Sequence, residues 1–268
     1  MHPFDLALQL TPTGPDTYQA RTTPDYANMV GPFGGVTCAL MLQAVLQHPL
    51  RLGQPIALTV NFAAGVADGP FTITARAVRT NRSTQHWIVE ALQQGEVVTS
   101  ATAVTAIRRE TWGTTELQAP AHLPDPQTLV RLPQGNRLPW AHHYDLRWVQ
   151  PQNYPGFDGQ EHHESSSVQW LRDDPPRPLD FAALASLCDC FFPRIFLRRH
   201  QATPLGSVTI TTYFHADEAA LAAQGDHYLI GAARGQHFQS GFFDQSGQIW
   251  SHDGHLLASS HQMVYFKG

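Results

Sequence analysis

A single charge, Asp189, stands between Phe181 and Phe192, in the run Leu187-Cys188-Asp189-Cys190-Phe191-Phe192-Pro193. The run reads as the end of an apolar helix over 179–192, opened by Pro178 and Asp180 and closed at Pro193. An anion near a helix C-terminus opposes the macrodipole, and a buried carboxylate without a partner is driven towards its neutral form. A carboxyl tuned in this way suits general-base work, which needs a pKa near the operating pH. The bland alternative is an Asp that faces solvent or bonds Arg194. The turn Gly31-Pro32-Phe33-Gly34-Gly35 is a second candidate. Without side chains, Gly34 and Gly35 let a carbonyl group approach the N-terminus of the helix that follows, where free N–H groups and the dipole can hold an oxyanion. The same glycines are equally explained by a tight turn at positive φ. The run Arg194–His200 is either a solvated helix end or a set of cations for phosphate.

Other chemistries find little support. The chain has 15 histidines, with pairs at His142-His143 and His162-His163, yet no HExxH or CxxC spacing. Neither a metal nor a cofactor is expected. No GxSxG nucleophile elbow is present. A formal charge of −5 argues against a nucleic-acid partner. Cys38, Cys188 and Cys190 all lie in apolar helical runs, which reads as reduced thiols and a cytoplasmic setting rather than a disulfide framework. No apolar run is long enough for a membrane helix, and MHPFDLALQL lacks the basic region and cleavage site of a signal peptide.

The elements that must position these residues fall into two similar sets. After the glycine turn, the stretch to Gln47 is apolar on every face, which marks a buried helix near 33–47. Alternating segments follow at 56–63, 71–80, 84–93 and 97–107, with turns at Asp68-Gly69-Pro70 and Gln94-Gly95-Glu96. A short strand at Thr17–Arg21 precedes the turn. Residues 111–160 are punctuated by Pro120, Pro124, Pro126, Pro133, Pro139, Pro151 and Pro155, and read as a surface linker anchored by Trp140 and Trp148. The end of that linker, 141–150, is open to reading as a first strand of a second half. The pattern then returns: a strand at 166–172, the Asp189 helix, and strands at 207–215, 227–237, 239–250 and 255–266. Leu58-Thr59-Val60-Asn61-Phe62 matches Ile210-Thr211-Thr212-Tyr213-Phe214 in kind, and Gly95–Ser100 matches Gly254–Ser259. A repeated unit of strand, buried helix and four strands predicts an α+β protein with a double hot-dog fold. Its expected parts are an N-terminal hot-dog over 1–115, a Pro-rich linker over 116–160 and a C-terminal hot-dog over 161–268. The two sheets are expected to join edge to edge, because open edges are a liability.

With these residues in view, the chain resembles the acyl-CoA thioesterase II (TesB-like) group of double hot-dog thioesterases. The resemblance rests on Gly31–Gly35 and Arg79–Trp87 in the first half. In the second it rests on Asp189, Ser207–His215 and Asp253–Gln262. It implies a catalytic set of an Asp on the second helix, a Thr or Ser on the next strand and a Gln on the last strand. Asp189, Ser207 and Gln262 occupy those places, Ser207 keeping the hydroxyl of the usual Thr. Read alone, Ser207 is better explained as a strand start and Gln262 as a surface polar residue. The first-half counterpart of Gln262 is Ala103, so one complete site per chain is expected. The resemblance further implies an acyl-CoA substrate, contacts to it from Phe33, Gly34 and Gly35, and a homo-oligomer. Two alternatives stay open: a non-catalytic acyl-binding hot-dog protein, and a hot-dog hydratase or dehydratase, which would need an Asp/His pair.

Overall fold

The computed structural model describes residues 1–132, 138–151 and 156–267; Pro133 and Pro155 of the expected linker lie outside the described residues. The first half contains α1 (Pro3–Ala7), β1 (Thr11–Gly14), β2 (Thr17–Arg21), α2 (Gly34–Leu46), β3 (Gln54–Phe62), β4 (Pro70–Thr80), β5 (Thr84–Gln93) and β6 (Glu96–Ala106). The second contains β7 (Tyr144–Gln150), β8 (Ser167–Asp173), α3 (Phe181–Leu187), α4 (Arg194–Arg199), β9 (Leu205–Phe214), α5 (Glu218–Gln224), β10 (Leu229–Arg234), β11 (Phe238–Gln239), β12 (Phe242–Trp250) and β13 (Leu256–Phe266).

The strands form one antiparallel sheet in the order β1-β2-β4-β5-β6-β3-β9-β13-β12-β10-β8-β7, with β11 on β12. The order is a palindrome about the β3–β9 junction. There β2, β4, β5, β6 and β3 match β8, β10, β12, β13 and β9, which is the double hot-dog fold. The expected edge-to-edge join is the pairing of β3 with β9, where Ala57 opposes Tyr213 and Asn61 opposes Thr209. Thr59 opposes Thr211 at its centre, and their hydroxyls bond at 3.0 Å. These two residues are equivalent in the repeat, so the pseudo-two-fold axis passes between them.

Helix α2 is buried on all sides, from Gly35 through Leu42 and at Ala44 and Val45. It packs on β3, β4, β5 and β6 and against α3. A helix without a polar face has no other stable place than inside its own sheet. Asp180 caps α3, its carboxylate accepting from the Ala183 N–H at 2.8 Å. The core is continuous through both halves.

Two boundaries differ from expectation. The stretch 116–160 is more than a linker: the alternative reading of its end as a strand holds, because Tyr144–Gln150 pairs with β8, and Tyr144, Leu146 and Trp148 are buried. The apolar run over 179–192 is not one helix. The last α-type bond is Cys188 to Leu184, after which Asp189 and Cys190 bond back only three residues, to Ser186 and Leu187. Pro193, unable to donate, caps a separate α4. Asp189 therefore stands in a tightened turn just past the helix end.

Candidate functional site

The N-terminus of α2 meets the turn that carries Asp189. A Cβ on Gly34 would lie 2.6 Å from Asp189 Oδ2, and one on Gly35 would lie 2.5 Å from the Ser186 carbonyl. Gly34 is required by the close approach of the carboxylate, and Gly35 by that of the Ser186 carbonyl and the Phe33 ring. The positive φ of the turn belongs instead to Gly31, at +67°. The Gly35 N–H favours the charged carboxylate, as does the positive end of α2. The dipole that disfavours Asp189 on its own helix is thus answered by another helix from the other half of the chain. Burial still dominates and pushes the Asp189 carboxyl from 3.8 up to about 7, against the pull of Gln262 and Gly35. The group is half-buried by surface area, its open side being the one turned to a cavity.

Ser207 and Gln262 come to the same point. Gln262 faces inward from β13, and its Nε2 donates to Asp189 Oδ1 at 2.8 Å and to Ser207 Oγ at 2.7 Å. Ser207 reaches it through a β-bulge. Gln262 opposes Ile210 and Met263 opposes Thr209, but Val264 opposes Ser207, leaving Val208 unpaired and partly exposed. Regular alternation would have put Val208 on the core face; the extra residue turns Ser207 inward instead. All three side chains border a cavity of about 670 Å³.

The first half carries the same register with different residues. Ala103 opposes Leu58 as Gln262 opposes Ile210, which places Ala103 at the expected counterpart position. The matching bulge between Pro55 and Ala57 puts Pro55 where Ser207 stands. Trp87 opposes Ala103 as Gln245 opposes Gln262. Counted from the helix caps Phe33 and Asp180, Asp189 corresponds to Leu42. Leu42, Ala103 and Trp87 are almost fully buried. The second position is filled with apolar side chains, and among the described residues the polar set stands in the second half of the chain.

The wall of the cavity is largely apolar, with several aromatic side chains in it. Phe33 stacks on Trp140 with centroids 4.0 Å apart, and Trp148 meets Phe192 edge-on. The two tryptophans read as linker anchors are therefore cavity wall. Of the three residues expected to contact substrate, Phe33 lines the cavity, whereas Gly34 and Gly35 stand behind Asp189.

Arg194 overturns both of its sequence readings. It is fully buried, so it meets neither solvent nor phosphate, and it does not pair with Asp189. Its guanidinium bonds the Phe192, Ser165 and Ala233 carbonyls, Ser167 Oγ and Gln245 Oε1. Gln245 in turn donates to Gln262 Oε1 at 2.8 Å. Sequence reasoning missed Gln245, although the hairpin register gives a signal: a glutamine stands where the other half has a core tryptophan. Spacing also concealed a grouping of Asp158, His162 and His200, whose ligand atoms lie within 4.8 Å of one another. Among the described residues no helix is long and apolar enough to cross a membrane, and the three cysteines are free and buried.

Comparison with known proteins agrees with the fold. The family model for the acyl-CoA thioesterase N-terminal domain matches residues 23–106, and that for the C-terminal domain matches residues 117–266. A conserved hot-dog protein of unknown function from Alicyclobacillus acidocaldarius is 48% identical over 100% of this chain and 99% of its own, with a TM-score of 0.94. A putative thioesterase II from Thermobifida fusca YX superposes with a TM-score of 0.84 at 17% identity, covering 100% of this chain and 98% of that one. Acyl-CoA thioesterase II TesB2 from Mycobacterium marinum superposes at 0.77 with 20% identity over 98% of each chain. No curated protein matches the sequence.

Proposed function

The chain belongs to the acyl-CoA thioesterase family, and from that premise we propose that it hydrolyses acyl-CoA to free acid and CoA thiol on water activated by Asp189. The observation that carries the reading is the convergence of Asp189, Ser207 and Gln262 on one cavity, with a carboxyl pushed to about 7.

The chemistry follows from the bonding. Both hydrogens of Gln262 Nε2 are directed at Asp189 and Ser207, which fixes the carboxylate and the hydroxyl relative to each other. Ser207 accepts from Gln262, so its own hydrogen is free to hold the oxygen of an entering water. Asp189 takes a proton from that water as the oxygen adds to the thioester carbonyl carbon. The tetrahedral intermediate then expels the thiolate, which recovers the proton from Asp189. No side chain becomes acylated. The acyl group lies along the apolar wall, and Phe33 is the part of the glycine turn that touches it.

A hydratase or dehydratase needs an imidazole beside the carboxylate, and no histidine borders the cavity among the described residues. A non-catalytic acyl-binding protein would use the same cavity without turnover. Steady-state release of free thiol from acyl-CoA esters of graded chain length separates these readings: hydrolysis is expected, and binding without thiol release would overturn it. Self-association is part of the same reading. It is supported by the low charge of the chain and by Tyr213, Met263 and Tyr265 exposed on the outer sheet face. Sedimentation of a monomer at micromolar concentration would refute it.

A further inference from the structure

Arg194 is a cation with no exposed surface and, among the described residues, no carboxylate partner. Every acceptor around it is neutral: three carbonyls, one hydroxyl and one amide oxygen. Burial lowers its pKa to about 9, which leaves it charged at neutral pH. Burying such a charge without a counter-ion opposes folding, so its position calls for a role beyond packing.

That role follows from which atoms can donate. A guanidinium only donates, whereas an amide side chain presents oxygen or nitrogen according to how it is turned. Arg194 Nε lies 3.0 Å from Gln245 and therefore fixes the oxygen of Gln245 towards itself. The Gln245 nitrogen is then left facing Gln262, and donates to Gln262 Oε1 at 2.8 Å. Gln262 must consequently turn its nitrogen to Asp189 and Ser207. Reversal of either amide would set oxygen against oxygen, at the Gln245–Gln262 contact or at the carboxylate.

The geometry points to Arg194 and Gln245 as positioning residues for thioester hydrolysis, a one-way chain of hydrogen bonds that holds the Gln262 amide with its nitrogen on Asp189 and Ser207. The assignment rests on the thioesterase reading above, and neither residue touches the reacting atoms. The first half lacks the device, since Trp87 and Ala103 replace Gln245 and Gln262.

The consequence is legible in pH dependence. Gln262 holds the Asp189 carboxyl down, so a Gln262 turned the wrong way lets it rise. The other titratable groups near Asp189 are Cys38 on α2 and Cys188 and Cys190 beside it, and burial raises all three thiols. They stay neutral across the working range and cannot mimic the effect.

The test uses Gln245→Met, which removes the donor, and Gln245→Glu, which keeps an acceptor for Arg194 but sets a second oxygen against Gln262. Each is made in the parent and in a Gln262→Ala background, with kcat/KM followed from pH 5 to 9. In the parent both variants should move the acid limb to higher pH; a one-unit move lowers the rate about fivefold at pH 7. In the Gln262→Ala background neither should move it further. An unmoved limb in the parent, or an equal move by Gln245→Glu without Gln262, would overturn the assignment, the latter by showing a direct charge effect. Arg194→Met leaves five acceptors unmet and risks misfolding, so the Gln245 series carries the test. A 13C-NMR titration of the Asp189 carboxyl, assigned with Asp189→Asn, reads the same shift without turnover. If the parent hydrolyses no thioester but the titration moves, the thioesterase reading fails and the hydrogen-bond chain stands. If hydrolysis is present and the titration does not move, the chain fails alone.

Discussion

Gly34 and Asp189, one from each half of the chain, sit so close that a single methyl group at Gly34 would lie 2.6 Å from the carboxylate oxygen. Gly34 is the first residue of α2 and is not at positive φ, so alanine there is conformationally acceptable. Gly34→Ala therefore perturbs Asp189 by contact and little else. Steady-state kinetics should show kcat falling about 10–100-fold, with KM changed much less, as expected when a general base is displaced. Unchanged kcat in a folded variant would remove Asp189 from the reaction.

Asp189→Asn keeps the shape and an acceptor for Gln262 but abolishes the base. Hydrolysis of the best acyl-CoA should fall by ~10²–10⁴-fold, the range for general acid–base catalysis. Ser207→Ala and Gln262→Ala should each cost less, and the three losses should not add, since the three side chains form one hydrogen-bonded unit. The parent's kcat/KM should rise with pH through about 7, where the carboxyl ionises. A flat profile from pH 5 to 9 would contradict the assignment.

The same variant makes a stability prediction with a definite sign. The Asp189 carboxyl has a higher pKa in the folded chain than its ordinary value of 3.8, so the native state holds the proton more tightly. Stability is then lost as pH rises from about 4 to about 7. Asp189→Asn should melt above the parent at pH 8, and the gap should begin to narrow as pH falls below about 7 and go on narrowing towards pH 4. Asp173 is also raised to about 7 by burial, but it is present in both proteins and drops out of the difference. Thermal melts at pH 5, 6, 7 and 8 provide the check.

Trp87 fills the hydrocarbon-packed counterpart of the polar set. Trp87→Ala should cost roughly 3–5 kcal/mol of stability, the usual loss for a large buried aromatic. Hydrolysis per folded molecule should change less than twofold. Denaturant unfolding beside specific activity tests both halves of the statement, and a large fall in kcat would mean that the first-half position takes part in the reaction.

Much of this was open to reading in the sequence because it rests on local physics. An apolar run with no polar face, following a glycine turn, can only be an interior helix, and α2 is one. The palindromic sheet follows from a repeat whose strands alternate in the same register, down to Ala103 opposite Leu58. Asp189 was visible because it is the one charge in an apolar stretch. Its partner, the N-terminus of α2, was not, since their approach depends on how two distant helices cross. Ser207 faces inward only because of a bulge at Val208, and one-residue insertions leave no mark in a Thr/Ser/Val pattern. Arg194 sits in a basic run whose neighbours Arg198 and Arg199 end a helix in the ordinary way, so its burial was hidden by composition. Helix α5, which lies in the gap between the expected strands 207–215 and 227–237, has legible signals of its own in Asp217 as cap and Gly225 at its end.

The axis between Thr59 and Thr211 bears on how this molecule can change by mutation. In a pair of identical chains every substitution is inherited twice, and a tryptophan placed at one site closes both. Joining the halves in a single polypeptide frees each from the other's needs. One half can gain packing at positions where the other must keep hydrogen bonds. The hydrocarbon of Leu42, Ala103 and Trp87 and the polar set across the axis are the two products of that freedom, each unattainable while the halves were bound to be the same.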